Sequence, residues 1–498
     1  MRRKAFSLRV LTISLLLLLG FALSIGSTEA NDEKQLAASS PFSSHVQAPL
    51  PNSIFLPLVS RNFPLATIFG VGMDQMLPST GLDQAEEAQV TWIRRSPVIW
   101  SDVEPVEGAR EWSVLAGLEQ ELIDAASRGI NVLLIVHSTP RWAQEIDGYF
   151  CGRIREDKLG AFAEFIHDLV QRYSGPPYNV KNWEIWNEPD VSPERIPDPT
   201  YFFGCWGDES DPYYGGGNFA EMLKAVYPKV GQADPGSKVI IGGLLLICDP
   251  DNLPPGTTPE DCKPSRFLEG ILRANGGPYF DGVSFHAYDY YGDLNSGDVG
   301  VGIYSNPNWN VLSNTTGPGV IAKARFIKQV LASYGFPDKS LLNTESGVIC
   351  GATGDEPPCE TSDYEYTKAF YIPQAYAAAV AEGLTTNLWY SLLGWRGSEL
   401  LDSGMNKLPA YYALQFARQE IIASTFVREI TSYSGVKGYE LDRGDRLIWV
   451  IWSLDGNDHS LTLPSTPSAV YDTFGTEVSA SNPLGLNFAD GPLYIEWP

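Results

Sequence analysis

From Leu65 to Ser424 short apolar runs alternate with amphipathic stretches. The apolar runs are Ile68–Met73, Val90–Val98, Asn131–His137, Val180–Asn187, Val239–Leu246, Gly282–Tyr288, Ser340–Thr344 and Thr386–Leu392. Between them apolar residues recur with the 3.6-residue period of a helix. Leu115–Ser127 sets Leu118, Leu122 and Ala125 on one face; Leu159–Tyr173 does the same with Phe162, Phe165, Ile166 and Leu169. Phe219–Val230, Ser265–Ala274, Val320–Tyr334, Asp363–Glu382 and Leu408–Ser424 follow suit. Continuous apolar strands separated by helices predict a parallel sheet with both faces covered. Eight such repeats predict an α/β fold, a closed (β/α)8 TIM barrel over residues 64–424. A doubly wound open sheet competes, but its Gly-rich phosphate loop is missing: the first turn reads Gly70-Val71-Gly72-Met73-Asp74.

After residue 424 the period changes. Gly435–Leu441, Leu447–Ser453, Ser460–Leu463, Ala469–Asp472 and Pro492–Trp497 are short, alternating and separated by turns. They predict a small C-terminal antiparallel β domain over 425–498. Trp449, Trp452 and Trp497 are expected in its core. At the other end, Arg2, Arg3, Lys4 and Arg9 precede an uncharged run holding five consecutive leucines, Leu15–Leu19, and Thr28-Glu29-Ala30 offers small residues for cleavage. Residues 1–30 therefore read as a secretory signal peptide, or an N-terminal anchor if uncleaved, and a secreted or cell-surface protein is expected. Residues 31–63, rich in Ser and Pro, read as a linker in which Ile54–Val59 is a short apolar strand or tether.

The formal charge of −25, from 35 basic and 60 acidic residues, leaves no basic footprint for nucleic acid and disfavours anionic membranes. Export makes disulfides the expected fate of Cys151, Cys205, Cys248, Cys262, Cys350 and Cys359. Six cysteines allow fifteen pairings. Proximity in Pro/Gly/Asp-rich loops favours Cys248 with Cys262 and Cys350 with Cys359, which leaves Cys151 with Cys205. No CxxC, HExxH or EF-hand spacing is present, so neither metal nor organic cofactor is expected.

A barrel carries its chemistry at the C-terminal ends of its strands. Strand four runs Trp183-Glu184-Ile185-Trp186-Asn187-Glu188-Pro189, and strand seven runs Leu341-Leu342-Asn343-Thr344-Glu345-Ser346-Gly347. Both are apolar strands that end in a carboxylate. Alternation puts Glu184, Trp186 and Glu188 on one side of strand four. Two carboxylates facing across a barrel mouth are what glycosidic hydrolysis needs: one protonated to serve the leaving oxygen, one ionised to attack.

Asn-Glu-Pro after strand four and Thr-Glu-x-Gly after strand seven resemble clan A of the retaining glycoside hydrolases, over residues 65–424. The resemblance implies Glu188 as acid/base, Glu345 as nucleophile, and Asn187 as partner of the sugar 2-hydroxyl. It also implies Tyr288, in Ser284-Phe285-His286-Ala287-Tyr288, as a hydrogen-bond partner of the nucleophile, with His286 a substrate contact. Trp389, in Trp389-Tyr390, matches the tryptophan that floors the sugar subsite, with Trp395 nearby. The clan's supporting arginine is Arg94 by its spacing from Trp92, or Arg95 by its spacing from Trp100; Arg94 is preferred. His137 and the Pro140-Arg141-Trp142 segment after strand three resemble family thirty-nine, the β-xylosidase and α-L-iduronidase family, with family five the second choice.

The expected function is a secreted retaining glycoside hydrolase that cleaves β-linked oligo- or polysaccharides. A non-catalytic carbohydrate-binding barrel and a transglycosidase are the alternatives. The loops that would set the substrate, Phe203–Gly217 and the two short cysteine loops, match no family signature.

Overall fold

The computed structural model describes residues 68–196, 198, 203–351, 359 and 361–498. Residues 1–30, read above as a signal peptide, and 31–63, read as a linker with the apolar Ile54–Val59, lie outside the described residues.

Eight parallel strands close on themselves. They are β1 (Phe69–Met73), β2 (Trp92–Ile99), β3 (Asn131–His137), β4 (Asn182–Ile185), β5 (Lys238–Leu244), β6 (Gly282–Tyr291), β7 (Ser340–Ile349) and β8 (Thr386–Trp389). Each pairs with the next, and β8 pairs with β1 to complete the ring. A helix follows each strand: α1 (Leu82–Glu87), α2 (Ala116–Ser127), α3 (Leu159–Tyr173), α4 (Gly216–Ala233), α5 (Phe267–Arg273), α6 (Val320–Ser333), α7 (Ser362–Ala381) and α8 (Pro409–Ile421). The (β/α)8 barrel expected from the alternation is therefore present. The short α1 carries too few residues to show a helical period, and the sequence pattern passes over it.

Pleating sorts each strand into an inner and an outer set. Trp92, Leu133, Ile240, Leu342 and Leu388 form one buried layer inside the barrel. Their sequence neighbours, such as Ile93, Leu134, Ile241, Leu341 and Trp389, face the helices and join the main core. Two residues on from the inner layer come Arg94, Ile135, Gly242, Thr344 and Tyr390, so polar side chains enter the interior on β2, on β7 and just past β8. β1 contributes Gly70 and Gly72 to the interior. A Cβ at Gly72 would lie 2.4 Å from the Tyr390 ring, so glycine there makes room for it.

The C-terminal domain is a five-stranded antiparallel sheet with a two-stranded ribbon. In chain order the strands are β9 (Thr425–Glu429), β10 (Val436–Asp442), β11 (Leu447–Ser453), β12 (His459–Leu461), β13 (Ala469–Tyr471), β14 (Leu484–Leu486) and β15 (Leu493–Trp497). The sheet order is β9-β10-β11-β15-β13, and β12 pairs with β14. One face of the sheet, with Tyr439, Leu441, Ile448, Val450 and Trp452, packs into the barrel's core. The other face buries Trp449, Ile451, Ile495 and Trp497 in a core of its own. Helix α7 is buried nearly all round because the barrel lies on one side of it and the sheet on the other. The cysteines pair as Cys151–Cys205, Cys248–Cys262 and Cys350–Cys359. Among the described residues no helix is long and apolar enough to cross a membrane.

Candidate active site

The site is built around Arg94. Its position on β2 is inward, in step with Trp92, while Arg95 points out and grips Glu121 of α2 at 2.6 and 3.0 Å. Of the two arginines, Arg94 therefore joins the cluster. Its guanidinium forks three ways: Nε to Glu184 (2.6 Å), Nη1 to Glu345 (2.5 Å) and Nη2 to the Asn187 Oδ1 (2.7 Å). Burial works against the charge of Arg94, but Glu184 and Glu345 outweigh it and its pKa is raised. The Arg94 bond makes Oδ1 the acceptor of Asn187, so Nδ2 is the group left to donate outward.

Glu184 is fully buried beneath this fork. Its Oε1 accepts from the Gly243 N–H (2.9 Å) and lies 2.6 and 3.2 Å from the hydroxyls of Ser284 and Thr344. Burial pushes its pKa up, yet the Arg94 charge and these donors hold it below the ordinary carboxylate value. A charged residue amid the apolar pattern of β4 was the sequence signal for this buried pair.

Glu188 reaches the mouth by a route that alternation does not describe. β4 ends at Ile185, and Trp186 and Glu188 take left-handed φ angles of 75° and 48°. The turn swings Trp186 outward against Trp206 and Phe162, where its Nε1 donates to the Gly204 carbonyl. Glu184, Trp186 and Glu188 thus do not share a face as the pleat predicts. Glu345 also departs from expectation, because β7 does not stop there but runs on to Ile349. Between Asn343 and Glu345 the strand carries one extra residue against β6, a bulge that lets Thr344 and Glu345 both turn inward.

His286 joins the two carboxylates. Its Nδ1 lies 2.8 Å from Glu188 Oε1 and its Nε2 3.5 Å from Glu345 Oε1. The ring is completely buried against Gly243, where a Cβ would fall 2.0 Å from Nε2. Burial pushes its pKa down to about 4, so the imidazole is neutral near pH 7. Burial pushes Glu188 the other way, up to about 7, with Arg94 and Lys323 opposing. The Tyr288 hydroxyl donates to Glu345 Oε2. Burial first, and Glu345 second, keep that phenol protonated. Lys323 of α6, which sequence reasoning passed over, donates to the carbonyls of Leu245 and His286, both at 2.7 Å, and so ties the end of β5 to the middle of β6.

Three predicted residues stand apart from the cluster. Trp389 faces α7, fully buried beside Tyr371, with its Nε1 given to the Ser398 carbonyl at 2.7 Å. Tyr390 and Trp395 are the aromatic residues at the mouth; the Trp395 ring lies 4.9 Å from Tyr288 and 5.5 Å from Tyr390. Trp142 is held beside Trp100, its Nε1 donating to the Glu104 carbonyl. His137 is buried with Nδ1 at 2.6 Å from the Ser138 hydroxyl, its pKa pushed down to about 3 by burial with Arg94 adding.

One ligand atom each from Glu188, His286 and Glu345 lies within 4.8 Å of the others, a spacing that a metal ion can bridge. The donor set does not fit one. Both oxygens of Glu345 already take donors, Arg94 and Tyr288, and the buried guanidinium would repel a cation.

No family model matches the sequence, and no curated protein matches it. The fold is shared with solved glycoside hydrolases of families 39 and 30. A family 39 glycoside hydrolase from the gut symbiont Bacteroides cellulosilyticus aligns over 86% of this chain and 81% of its own, with a TM-score of 0.62 and 18% identity. A family 30 endoxylanase from Clostridium papyrosolvens aligns over 86% and 95%, at TM-score 0.55 and 13% identity. A monomeric beta-xylosidase from Caulobacter crescentus aligns over 86% and 96%, at 0.53 and 15%.

Proposed function

We propose that the protein is an exported retaining glycoside hydrolase that cleaves β-linked oligo- or polysaccharides, with Glu345 as nucleophile and Glu188 as acid/base. The observation that carries this reading is the carboxylate pair. Oxygens of Glu188 and Glu345 approach within 4.8 Å across the barrel mouth. That is close to the roughly 5 to 5.5 Å separation of a retaining pair and short of the roughly 6.5 to 9.5 Å that an inverting water needs.

The surroundings divide the labour. Glu188, with a pKa of about 7, holds a proton at a pH where an ordinary carboxyl has lost it. Glu345, between Arg94 and the Tyr288 hydroxyl, is set up as the anion. In the first step a Glu345 oxygen bonds to the anomeric carbon as the glycosidic C–O bond breaks, and the Glu188 proton moves to the leaving oxygen. In the second, water attacks the same carbon, the ester to Glu345 breaks, and the water's proton returns to Glu188. A neutral His286 with its proton on Nδ1 donates to Glu188 Oε1 in the interval when that carboxylate is charged. Asn187 Nδ2 is available to a sugar hydroxyl. The family 30 endoxylanase and the beta-xylosidase among the structural neighbours make β-xylosides the first substrates to try. The three disulfides suit an oxidising compartment.

The test is a panel of aryl β-glycosides and β-glycans, read by released sugar, beside Glu345→Ala. Turnover of one class is expected, lost in the variant and partly restored by azide with inverted product. Turnover that survives Glu345→Ala at the wild-type rate would sink the assignment.

A further inference from the structure

Beyond the mouth of the barrel, a cavity of about 790 Å³ opens between α7 and the C-terminal domain. Its wall on the helix side is one face of α7: Asp363, Tyr366 and Phe370, at helical spacing. The facing wall comes from the chain between β13 and β15, with Phe474, Asp472 and Asn487 among its residues. Tyr366 leaves 43% of its surface exposed and stands edge-on to Phe370 and Phe474 at 6.1 and 6.0 Å.

We propose that this cavity is an accessory subsite for a neutral stretch of the same glycan that the barrel cleaves. The proposal rests on the glycosidase reading for its choice of ligand. Its lining is mixed in the way a sugar is mixed. Aromatic rings offer an apolar surface for the C–H face of a pyranose. Carboxylate, amide and hydroxyl groups around them accept and donate to the ring hydroxyls. The charge selects further. Asp363, Asp472 and Asp490 line the cavity, and none of its lining residues is basic, so a uronate or sulfated sugar is repelled and a neutral one is not.

Position favours the same substrate. A barrel helix begins where its strand ends, so the first turns of α7 lie on the side of the active site. The opposite face of α7 holds the loop after β8 that presents Trp395. Lys368 donates to the carbonyls of Gly397 (2.7 Å) and Glu399 (3.1 Å), and the Tyr364 hydroxyl to Val348 of β7 (3.0 Å). One helix therefore borders both the cavity and the mouth. A polymer held at the first has a raised local concentration at the second.

The experiment is isothermal titration of the full chain carrying Glu345→Ala, with xylohexaose, cellohexaose and mannohexaose as probes and a galacturonic acid hexamer as the anionic control. Two binding events are expected on one neutral probe, one of them weakened at least tenfold by Tyr366→Ala. Gly485→Trp should do the same by filling the cavity, since a Cβ at Gly485 meets nothing within 4 Å. Thermal midpoints should not move. In the otherwise wild-type chain both substitutions should spare turnover of an aryl monoglycoside and slow turnover of the polymer. A single event or none on every probe overturns the subsite, as does a second event that both variants retain. A Tyr366-dependent event in a chain that turns over no aryl glycoside sinks the hydrolase reading alone. Aryl turnover without such an event sinks the subsite alone.

Discussion

Glu184 and Glu345 are held by one guanidinium: Arg94 bonds the first through Nε at 2.6 Å and the second through Nη1 at 2.5 Å. The first carboxylate is fully buried and the second opens on the mouth, so the barrel's interior and its mouth share a single cation.

Arg94→Met should therefore cost stability and activity together. Breaking a buried pair by removing one partner typically costs about 3 to 5 kcal/mol, because the other charge is left unpaired. Adding Glu184→Gln should return part of that stability in urea unfolding without restoring turnover, since Glu345 still lacks its partner. A displacement of the proposed nucleophile by about 1 Å is enough for a loss near a hundredfold. Wild-type stability in the single variant would contradict the structure.

The pH profile should report Glu188. Its pKa is raised to about 7, so it is protonated below that pH, and kcat/KM should fall as the pH rises through about 7. Glu188→Ala should remove this limb. It should spare the first step for aryl glycosides with good leaving groups, which need no proton, and slow those with poor ones. The comparison needs two substrates and one pH series.

Trp389 at the end of β8 and Trp395 beyond it should separate binding from folding. Trp395→Ala should raise KM with little change in thermal midpoint, because the ring stands at the mouth beside Tyr288. Trp389→Ala should lower the midpoint sharply, a buried aromatic costing about 3 to 5 kcal/mol when truncated. The opposite pattern would return Trp389 to the sugar.

That reversal was legible in principle. Leu388 lies inside the barrel, so strict alternation sends Tyr390 inward and Trp389 outward. The same count from Trp92 selects Arg94 over Arg95. The barrel itself was plain, because strands buried on both faces leave eight continuous apolar runs. What the pattern could not carry was the local backbone. The left-handed turn at Trp186 and Glu188 and the bulge before Glu345 both break the two-residue period at the paired carboxylates. No periodic rule foresees where a strand abandons its period. The partners of His286 were hidden for another reason, since they come from the turn after β4 and from β7, far away in sequence.

The turn at Glu188 has a price in evolvability. A side chain in the left-handed region costs roughly 1 to 2 kcal/mol, and here it is also a carboxyl largely withdrawn from water. Glycine relieves the first burden and deletes the second, so Glu188→Gly should melt higher than the natural chain while losing turnover of glycosides with poor leaving groups. A breeding scheme that rewards heat resistance without asking for product would discard the proposed proton donor early, and would count the loss as an improvement.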